Sequence, residues 1–215
     1  MAAPAVESCR AAIGGGWSAG AGRGNSLALI VIFFFLYAGA EVGFGGWIYS
    51  YAVALRLSSE ATAAYLTSAF WGSLTAGRLL AIALAVRFSS RSVLLGDLIG
   101  RLASLGILML GSASLEATWV GTCGVGLSMA SIFPAMMSLA QGRMRITGRV
   151  TGWFFVGASA GGMTLPWVIG QFFESVGPRA TIVILLIDMS AALSILLVLA
   201  LRSVRPVYRR SPGHS

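Results

Sequence analysis

Six long apolar runs, separated by short polar segments, dominate the pattern of this chain. They are Ser26–Tyr51, Glu60–Val86, Val93–Leu110, Ala117–Leu139, Thr151–Phe173 and Thr181–Leu201. A bilayer core about 30 Å thick requires roughly 20 apolar residues per helix. The pattern therefore predicts an all-α integral membrane protein with six transmembrane helices.

The short polar segments contain residues typical of helix ends, and they divide the chain into three parts. Expected N-caps are Ser58 or Ser59, Ser92, Thr147 or Thr151, and Thr181. The first part is a disordered cytoplasmic leader (1–25), without the apolar stretch of a signal peptide. A transmembrane bundle (26–201) and a basic cytoplasmic tail (202–215) follow, which leaves no room for a soluble domain.

Composition agrees with this fold class. The mean hydropathy is +0.84, and 10% of the residues are charged, whereas a soluble domain has about 25%. The net charge of +8 does not indicate nucleic acid binding, because the arginines lie between apolar runs rather than on a polar surface. Cys9 and Cys123 are far apart in sequence, so neither a disulfide framework nor a metal site is expected.

The arginines between the runs predict the orientation of the chain. Of the arginines outside the runs, two would lie on one side of the membrane, namely Arg56 and Arg179. The other side collects Arg10, Arg23, Arg87, Arg91, Arg143, Arg145, Arg149, Arg202, Arg205, Arg209 and Arg210. Positive residues favour the cytoplasmic side, so both termini are predicted to be cytoplasmic.

Glu41 lies in the middle of the first run, among Gly39, Gly43, Gly45 and Gly46. A charge at membrane depth is expensive and usually faces a cavity or a partner. The glycines allow backbones to approach and permit local unwinding, which carriers use to build binding sites. A packing helix with a satisfied Glu41 is the alternative, but packing glycines do not require a carboxylate.

Three further groups of charges lie within the runs. Arg78 either neutralises Glu41 or contacts a substrate, or it belongs to a cytoplasmic gate with Arg87 and Arg91; we prefer the gate. Asp97 and Arg101 are spaced i, i+4 and are expected to pair on one helix face. Asp188 has no ionisable neighbour one turn away and is either a proton-titrating group or buried against a hydroxyl.

Two runs carry spaced small residues and prolines that are typical of kinked helices. These are Gly126, Ala130 and Pro134 in the fourth run, and Gly162, Pro166 and Gly170 in the fifth. Proline removes a backbone donor and bends a helix. Together with Glu41, these runs predict a polar cavity lined by kinked helices.

These motifs resemble the second half of sugar carriers of the major facilitator superfamily, in the sodium-dependent glucose transporter-like and fucose-permease-like branch. The resemblance rests on Gly39-Ala-Glu41-Val-Gly-Phe-Gly-Gly-Trp47 and on Thr67-Ser-Ala-Phe-Trp71-Gly-Ser-Leu-Thr-Ala-Gly77-Arg78. Ser131-Ile-Phe-Pro134 and Leu165-Pro166-Trp167 with Gly170 complete it. It covers the chain from about Leu27 to Leu201.

The resemblance implies a half-bundle built from a 3+3 inverted repeat, because a carrier of this family has two six-helix halves around one site. Three interpretations follow: a fragment of a full carrier, which we favour, a half-size protein that pairs with itself or another half, or a remnant without transport. The expected function is alternating-access transport or symport of a solute in the plasma membrane, and a sugar is the expected substrate. An inactive or scaffold membrane subunit is the alternative.

The resemblance also implies candidate site residues. Glu41, Gly45, Trp47, Trp71 and Phe133 are expected to bind substrate, since a carboxylate accepts sugar hydroxyls and an aromatic ring stacks on a sugar face. Gating or coupling residues are expected to be Arg78, Pro134, Pro166 and Asp188. The commoner role of a transmembrane tryptophan is an interfacial anchor, which fits Trp119, Trp153 and Trp167 better than Trp71.

No cofactor or metal is expected beyond a coupling ion, Na⁺ or H⁺, which Glu41 or Asp188 could carry. The expected partners are the lipid bilayer, a small-molecule substrate and a second six-helix half. An enzyme is not expected. Gly157-Ala-Ser159-Ala-Gly161 matches a nucleophile pattern, but a serine nucleophile needs a nearby base, and the only histidine is His214 in the tail.

Overall fold

The computed structural model describes residues 21–201, which form seven α-helices and no β-strand. The helices are α1 (Ala21–Ala54), α2 (Glu60–Arg87), α3 (Ser90–Leu110), α4 (Leu115–Met129), α5 (Ile132–Gln141), α6 (Gly148–Val176) and α7 (Arg179–Leu201). The predicted tail and the first 20 residues of the predicted leader lie outside the described part of the chain. The all-α prediction is confirmed.

The helix ends agree with most, but not all, of the predicted boundaries. Helix α1 begins at Ala21, so residues 21–25 are helical rather than part of the leader. Ser59 and Thr147 cap α2 and α6 as predicted. Helix α3 is instead capped by Ser89, which accepts from the N–H of Ser92 at 3.2 Å. Ser89 lies one turn earlier and supplies an acceptor for a backbone donor that the helix leaves free.

Four segments of the described chain are long and apolar enough to cross a membrane. They are Gly24–Ala54, Ser90–Leu110, Leu115–Gln141 and Arg179–Leu201. Helices α2 and α6 have 28 and 29 residues but fall outside this set. The membrane-spanning role of these two helices stays a prediction.

The fourth run is broken where the sequence predicts a kink. Helix α4 ends at Met129 and α5 begins at Ile132, so the break falls at Ala130 and Ser131. Pro134 lacks the N–H that would donate to the Ala130 carbonyl, and its ring crowds that same group. The break therefore lies one turn before the proline, where the helical hydrogen bond is lost.

Two helix pairs approach through glycine. On α6, a Cβ placed on Gly157 would lie 2.7 Å from the Val31 carbonyl oxygen of α1, and a Cβ on Gly161 would collide with the Phe35 backbone. On α4, a Cβ on Gly126 would lie 2.6 Å from the Phe70 carbonyl oxygen of α2. Gly157 and Gly161, the glycines of the nucleophile-like pattern, thus form a packing surface.

The glycine run around Glu41 would permit local unwinding, but the helix is regular there. Helix α1 is continuous from Ala21 to Ala54. The run serves close approach instead: Gly39 faces the Gly161 carbonyl and Gly45 faces the rings of Phe70 and Trp71. Packed neighbours on both sides hold the helix in its regular form, so the glycines need not open it.

The helices alternate in direction, which gathers five arginines of the described residues at one end of the bundle. This arginine-rich end is where α2 and α5 finish and α3 and α6 begin, and it carries Arg87, Arg91, Arg143, Arg145 and Arg149. At the opposite end the Tyr51 hydroxyl of α1 donates to the Leu108 carbonyl of α3 at 3.3 Å. This alternation agrees with the predicted topology, while the side that faces the cytoplasm stays a prediction.

We predict that Gly161→Ala lowers the free energy of unfolding by about 1–3 kcal/mol, because overpacking of a tight contact has this effect. Gly152→Ala is the matched control on the same helix, since nothing lies within 4 Å of a Cβ placed there. The control should be neutral or slightly stabilising. Thermal unfolding of both variants in detergent measures the difference, and equal unfolding temperatures would contradict the packing role of Gly161.

Candidate functional site

A cavity of about 810 Å³ extends along α1, α2, α3, α5 and α6. It runs from Tyr37 and Glu41 in the middle of α1 to Ser90 and Ser138 at the arginine-rich end. Its volume is typical of a site for a small ligand. The remaining lining residues are Ala38, Arg78, Ala81, Ile82, Phe88, Val93, Ala130, Ser131, Phe133, Pro134, Ala135, Phe155 and Ala158.

An ion pair occupies the deep part of this cavity. Arg78 Nη2 of α2 lies 3.5 Å from Glu41 Oε1 of α1. The Glu41 side chain is 16% exposed, whereas that of Arg78 is 59% exposed. Tyr37, one turn before Glu41, also lines the cavity and is close enough for its hydroxyl to interact with the Glu41 carboxylate. This part of the cavity therefore presents a carboxylate, a guanidinium and a phenol.

Aromatic rings form the apolar wall of the cavity. The ring centroids of Phe133 on α5 and Phe155 on α6 are 6.3 Å apart. Behind them, the buried Phe34 ring lies 5.2 Å from that of Phe133. A rigid aromatic wall beside polar groups suits a ligand that has both hydroxyls and an apolar face.

A hydrogen bond fixes the break between α4 and α5. The Ser131 hydroxyl donates to Asp97 Oδ2 of α3 at 2.6 Å. Ser131 lines the cavity and Asp97 does not. The carboxylate therefore holds the chain at the point where the proline has removed a helical hydrogen bond.

Four of the predicted site residues line the cavity together: Glu41, Phe133, Arg78 and Pro134. The sequence predicts a gate formed by Arg78 with Arg87 and Arg91, but the structure pairs Arg78 with Glu41. Arg78 lies too far from Arg87 to share a gate with it, because Arg87 is nine residues, or about 14 Å, further along α2. The functional roles of the four residues stay predictions.

Four other predicted residues lie outside this cavity. Trp47 donates its indole N–H to the Pro166 carbonyl at 3.1 Å and stacks with Phe173. Trp71 is 43% exposed and packs edge-on against Phe70, next to Gly45. Trp47, Trp71 and Gly45 therefore contribute to helix contacts, and Pro166 serves as an acceptor between α1 and α6.

Asp188, the last predicted residue, does not line the cavity. It is 5% exposed and lies near Arg101, which is fully buried, although no ion pair within 4 Å joins the two side chains. Arg101 does not pair with Asp97 as the spacing predicts; its Nη2 donates to the Ala40 carbonyl of α1 at 3.0 Å. The Asp97 carboxylate instead accepts a hydrogen bond from Ser131. Arg101 is therefore not paired with Asp97 and faces α1 and α7.

Sequence reasoning missed several polar cavity residues. Tyr37 lies four residues before Glu41, and that spacing places it on the same helix face. Ser131 is adjacent to the break that Pro134 predicts. Ser90 and Ser138 come from distant parts of the chain and meet through a 2.9 Å hydrogen bond, for which the sequence carries no signal. In residues 21–201, no group of three metal-binding side chains occurs.

Comparisons with known proteins confirm the resemblance drawn from the sequence. The chain is 34% identical over 141 residues to the major facilitator superfamily domain-containing protein 4A of Xenopus tropicalis, which covers 65% of this chain. It is 38% identical over 132 residues, 61% of this chain, to the human sodium-dependent glucose transporter 1. A mouse relative, sodium-dependent glucose transporter 1A, is 37% identical over 132 residues.

The matches cover a minor share of each relative. They span 28%, 26% and 31% of the Xenopus, human and mouse proteins. No protein-family profile matches the chain. The apolar helices and the similarity to these transporters together establish an integral, multi-pass membrane protein.

We predict energetic coupling between Arg101 and Asp188, because both side chains are buried and lie near each other. Arg101→Met should lower the free energy of unfolding by about 3–5 kcal/mol, because it leaves a buried carboxylate uncompensated. The double variant, Arg101→Met with Asp188→Leu, should lose less free energy of unfolding than the two single variants lose together. Thermal unfolding in detergent measures this cycle, with the exposed Arg179→Met as control; additive losses would show that the two charges do not interact.

Proposed function

We propose that this chain forms one six-helix half of a membrane solute carrier, and that its cavity binds a small polyhydroxylated solute, a sugar. The observation that carries the proposal is the Glu41–Arg78 ion pair. Arg78 is more than half exposed in the middle of a long helix. A guanidinium in that position has a large energetic penalty if it faces lipid.

A second half-bundle would remove this penalty. The cavity side of the chain, with Arg78, would face a second six-helix half rather than the bilayer. This half would belong to the same polypeptide in a longer form, or to a dimer partner. In either arrangement, the site would lie between two halves, as in alternating-access carriers.

The packing of the helices supports the proposed 3+3 inverted repeat. In such a repeat α1 corresponds to α4–α5, α2 to α6, and α3 to α7. The glycine contact between α1 and α6 then corresponds to the glycine contact between α4 and α2, and both are present. The first helix of each proposed repeat carries helix-weakening residues: α1 has a glycine run but stays continuous, whereas α4–α5 is broken before Pro134. Discontinuous helices are the usual sites of substrate binding in such carriers, and here the break lies in α4–α5.

The chemistry of the cavity suits a sugar. Glu41 offers acceptors, Arg78 offers donors, and Tyr37 and the serines offer both. Phe133 and Phe155 supply rings for the apolar face of a pyranose. Two of the relatives are named as glucose transporters, which supports this choice, and the alternative of a scaffold subunit receives no support from them.

The coupling ion and the setting of the protein belong to the same proposal. Glu41 lines the cavity and is therefore a better candidate than Asp188 to bind Na⁺ or H⁺. The break at Ala130–Ser131 would allow α5 to tilt as the two halves rock. We further propose that both termini are cytoplasmic and that the protein resides in the plasma membrane.

The test is uptake of labelled D-glucose by cells that express the chain, alone and together with a candidate first half. Glu41→Gln should reduce uptake at least tenfold, because it removes the charge that pairs with Arg78 and accepts sugar hydroxyls. Replacing Na⁺ by choline, or adding a protonophore, identifies the coupling ion.

Glu174→Gln is the matched control, since Glu174 is exposed and lies outside the cavity. Its uptake should equal that of the unmodified chain. If Glu41→Gln transports sugar as well as Glu174→Gln while uptake is measurable, then Glu41 does not bind substrate and the proposal is wrong.

A further inference from the structure

A second, smaller cavity of about 190 Å³ lies at the arginine-rich end of the bundle. Its walls come from the start of α3 and from the end of α5 with the following loop. The lining residues are Ser89, Ser90, Arg91, Ser138, Leu139, Gly142 and Arg143. It adjoins the large cavity at Ser90 and Ser138, which line both.

Arg143 is the central residue of this small cavity. It is 5% exposed, and its Nη2 donates to the Leu199 carbonyl near the end of α7 at 2.6 Å. Its Nη1 is buried and has no hydrogen-bond partner. An unpaired buried guanidinium nitrogen is unfavourable, so an acceptor at this position would stabilise the fold.

The start of α3 contributes further donors. Ser89 caps the helix by accepting from Ser92, and the helical geometry leaves the N–H groups of Ser90 and Arg91 without an acceptor in the helix. The positive end of a helix dipole attracts an anion. The Ser90 hydroxyl, which donates to Ser138 at 2.9 Å, lies at the same wall.

Two arginines and no carboxylate line this small cavity. Burial lowers the pKa of the Arg143 guanidinium below its usual value, and the nearby charge of Arg91 lowers it further. Two cations that repel each other across a small cavity would both be stabilised by an anion between them.

We propose that this small cavity binds a phosphate group, held by Arg91, Arg143 and the first turn of α3. The phosphate would belong to an anionic lipid headgroup or to a soluble phosphate. Guanidinium groups and helix N-termini both bind phosphate in proteins. Basic pockets between transmembrane helices bind anionic lipid headgroups, and this cavity lies at the end of the apolar segments α3 and α7.

Phosphate binding at this position would join three helix ends. Arg143 already connects the α5–α6 loop to α7 through Leu199, and the phosphate would add the start of α3. The inference does not depend on the identity of the transported solute, because Arg91 and Arg143 do not line the large cavity.

The test is binding of dioleoyl phosphatidylglycerol to the full chain in detergent micelles, measured by native mass spectrometry and by thermal shift. Dioleoyl phosphatidylcholine, which has no net charge, is the lipid control. Arg91→Gln should weaken binding about tenfold, because a charge-assisted hydrogen bond contributes at least this much. Arg91 is exposed, so this variant should fold, and Arg143→Lys is a second variant that retains the charge.

Arg145→Gln is the matched control, since Arg145 is exposed in the same loop but does not line the cavity. Inorganic phosphate at constant ionic strength distinguishes the two sources. If phosphate competes with the lipid, the site accepts a soluble anion; if it does not, the lipid headgroup is the ligand. The proposal would be overturned if Arg91→Gln and Arg145→Gln lost lipid affinity equally, or if the two lipids bound equally well.

Discussion

Because Gly157 and Gly161 have no side chains, α6 lies directly against the carbonyl groups of Val31 and Phe35 on α1. This backbone contact determines the position and rotation of α1, and therefore where Tyr37 and Glu41 enter the cavity. Lipid tails are as apolar as leucine, so helices in a membrane associate through close packing rather than through the hydrophobic effect. The polar site is thus built on a contact that involves no polar side chain.

Apart from Asp97, which accepts from Ser131, the charges at membrane depth lie in two different kinds of surroundings. Glu41 and Arg78 pair in a cavity and keep part of their surface exposed. Arg101 and Asp188 are buried behind α1, where Arg101 has one hydrogen bond in the described structure and the Asp188 oxygens have none. The first pair is open to the cavity, whereas Arg101 connects α3 to α1 through the Ala40 carbonyl.

The helical layout was predictable from the sequence because apolar runs, proline and hydroxyl caps act locally. The kink before Pro134 and the caps at Ser59 and Thr147 follow from such local chemistry. The site was predictable only in part. Glu41 and Phe133 line the cavity, but Trp47 and Trp71 pack between helices, because periodicity does not reveal which face of a helix meets which neighbour. The Ser90–Ser138 contact depends on tertiary structure alone.

The hydrogen bond from Arg101 to the Ala40 carbonyl has a consequence for how such a site can change over time. Ala40 directly precedes Glu41, so α3 contacts the α1 backbone next to a residue of the cavity wall. Under the proposed function, a substitution at Arg101 would shift Glu41 without replacing any residue that lines the cavity. Mutant libraries restricted to the cavity wall would miss this route.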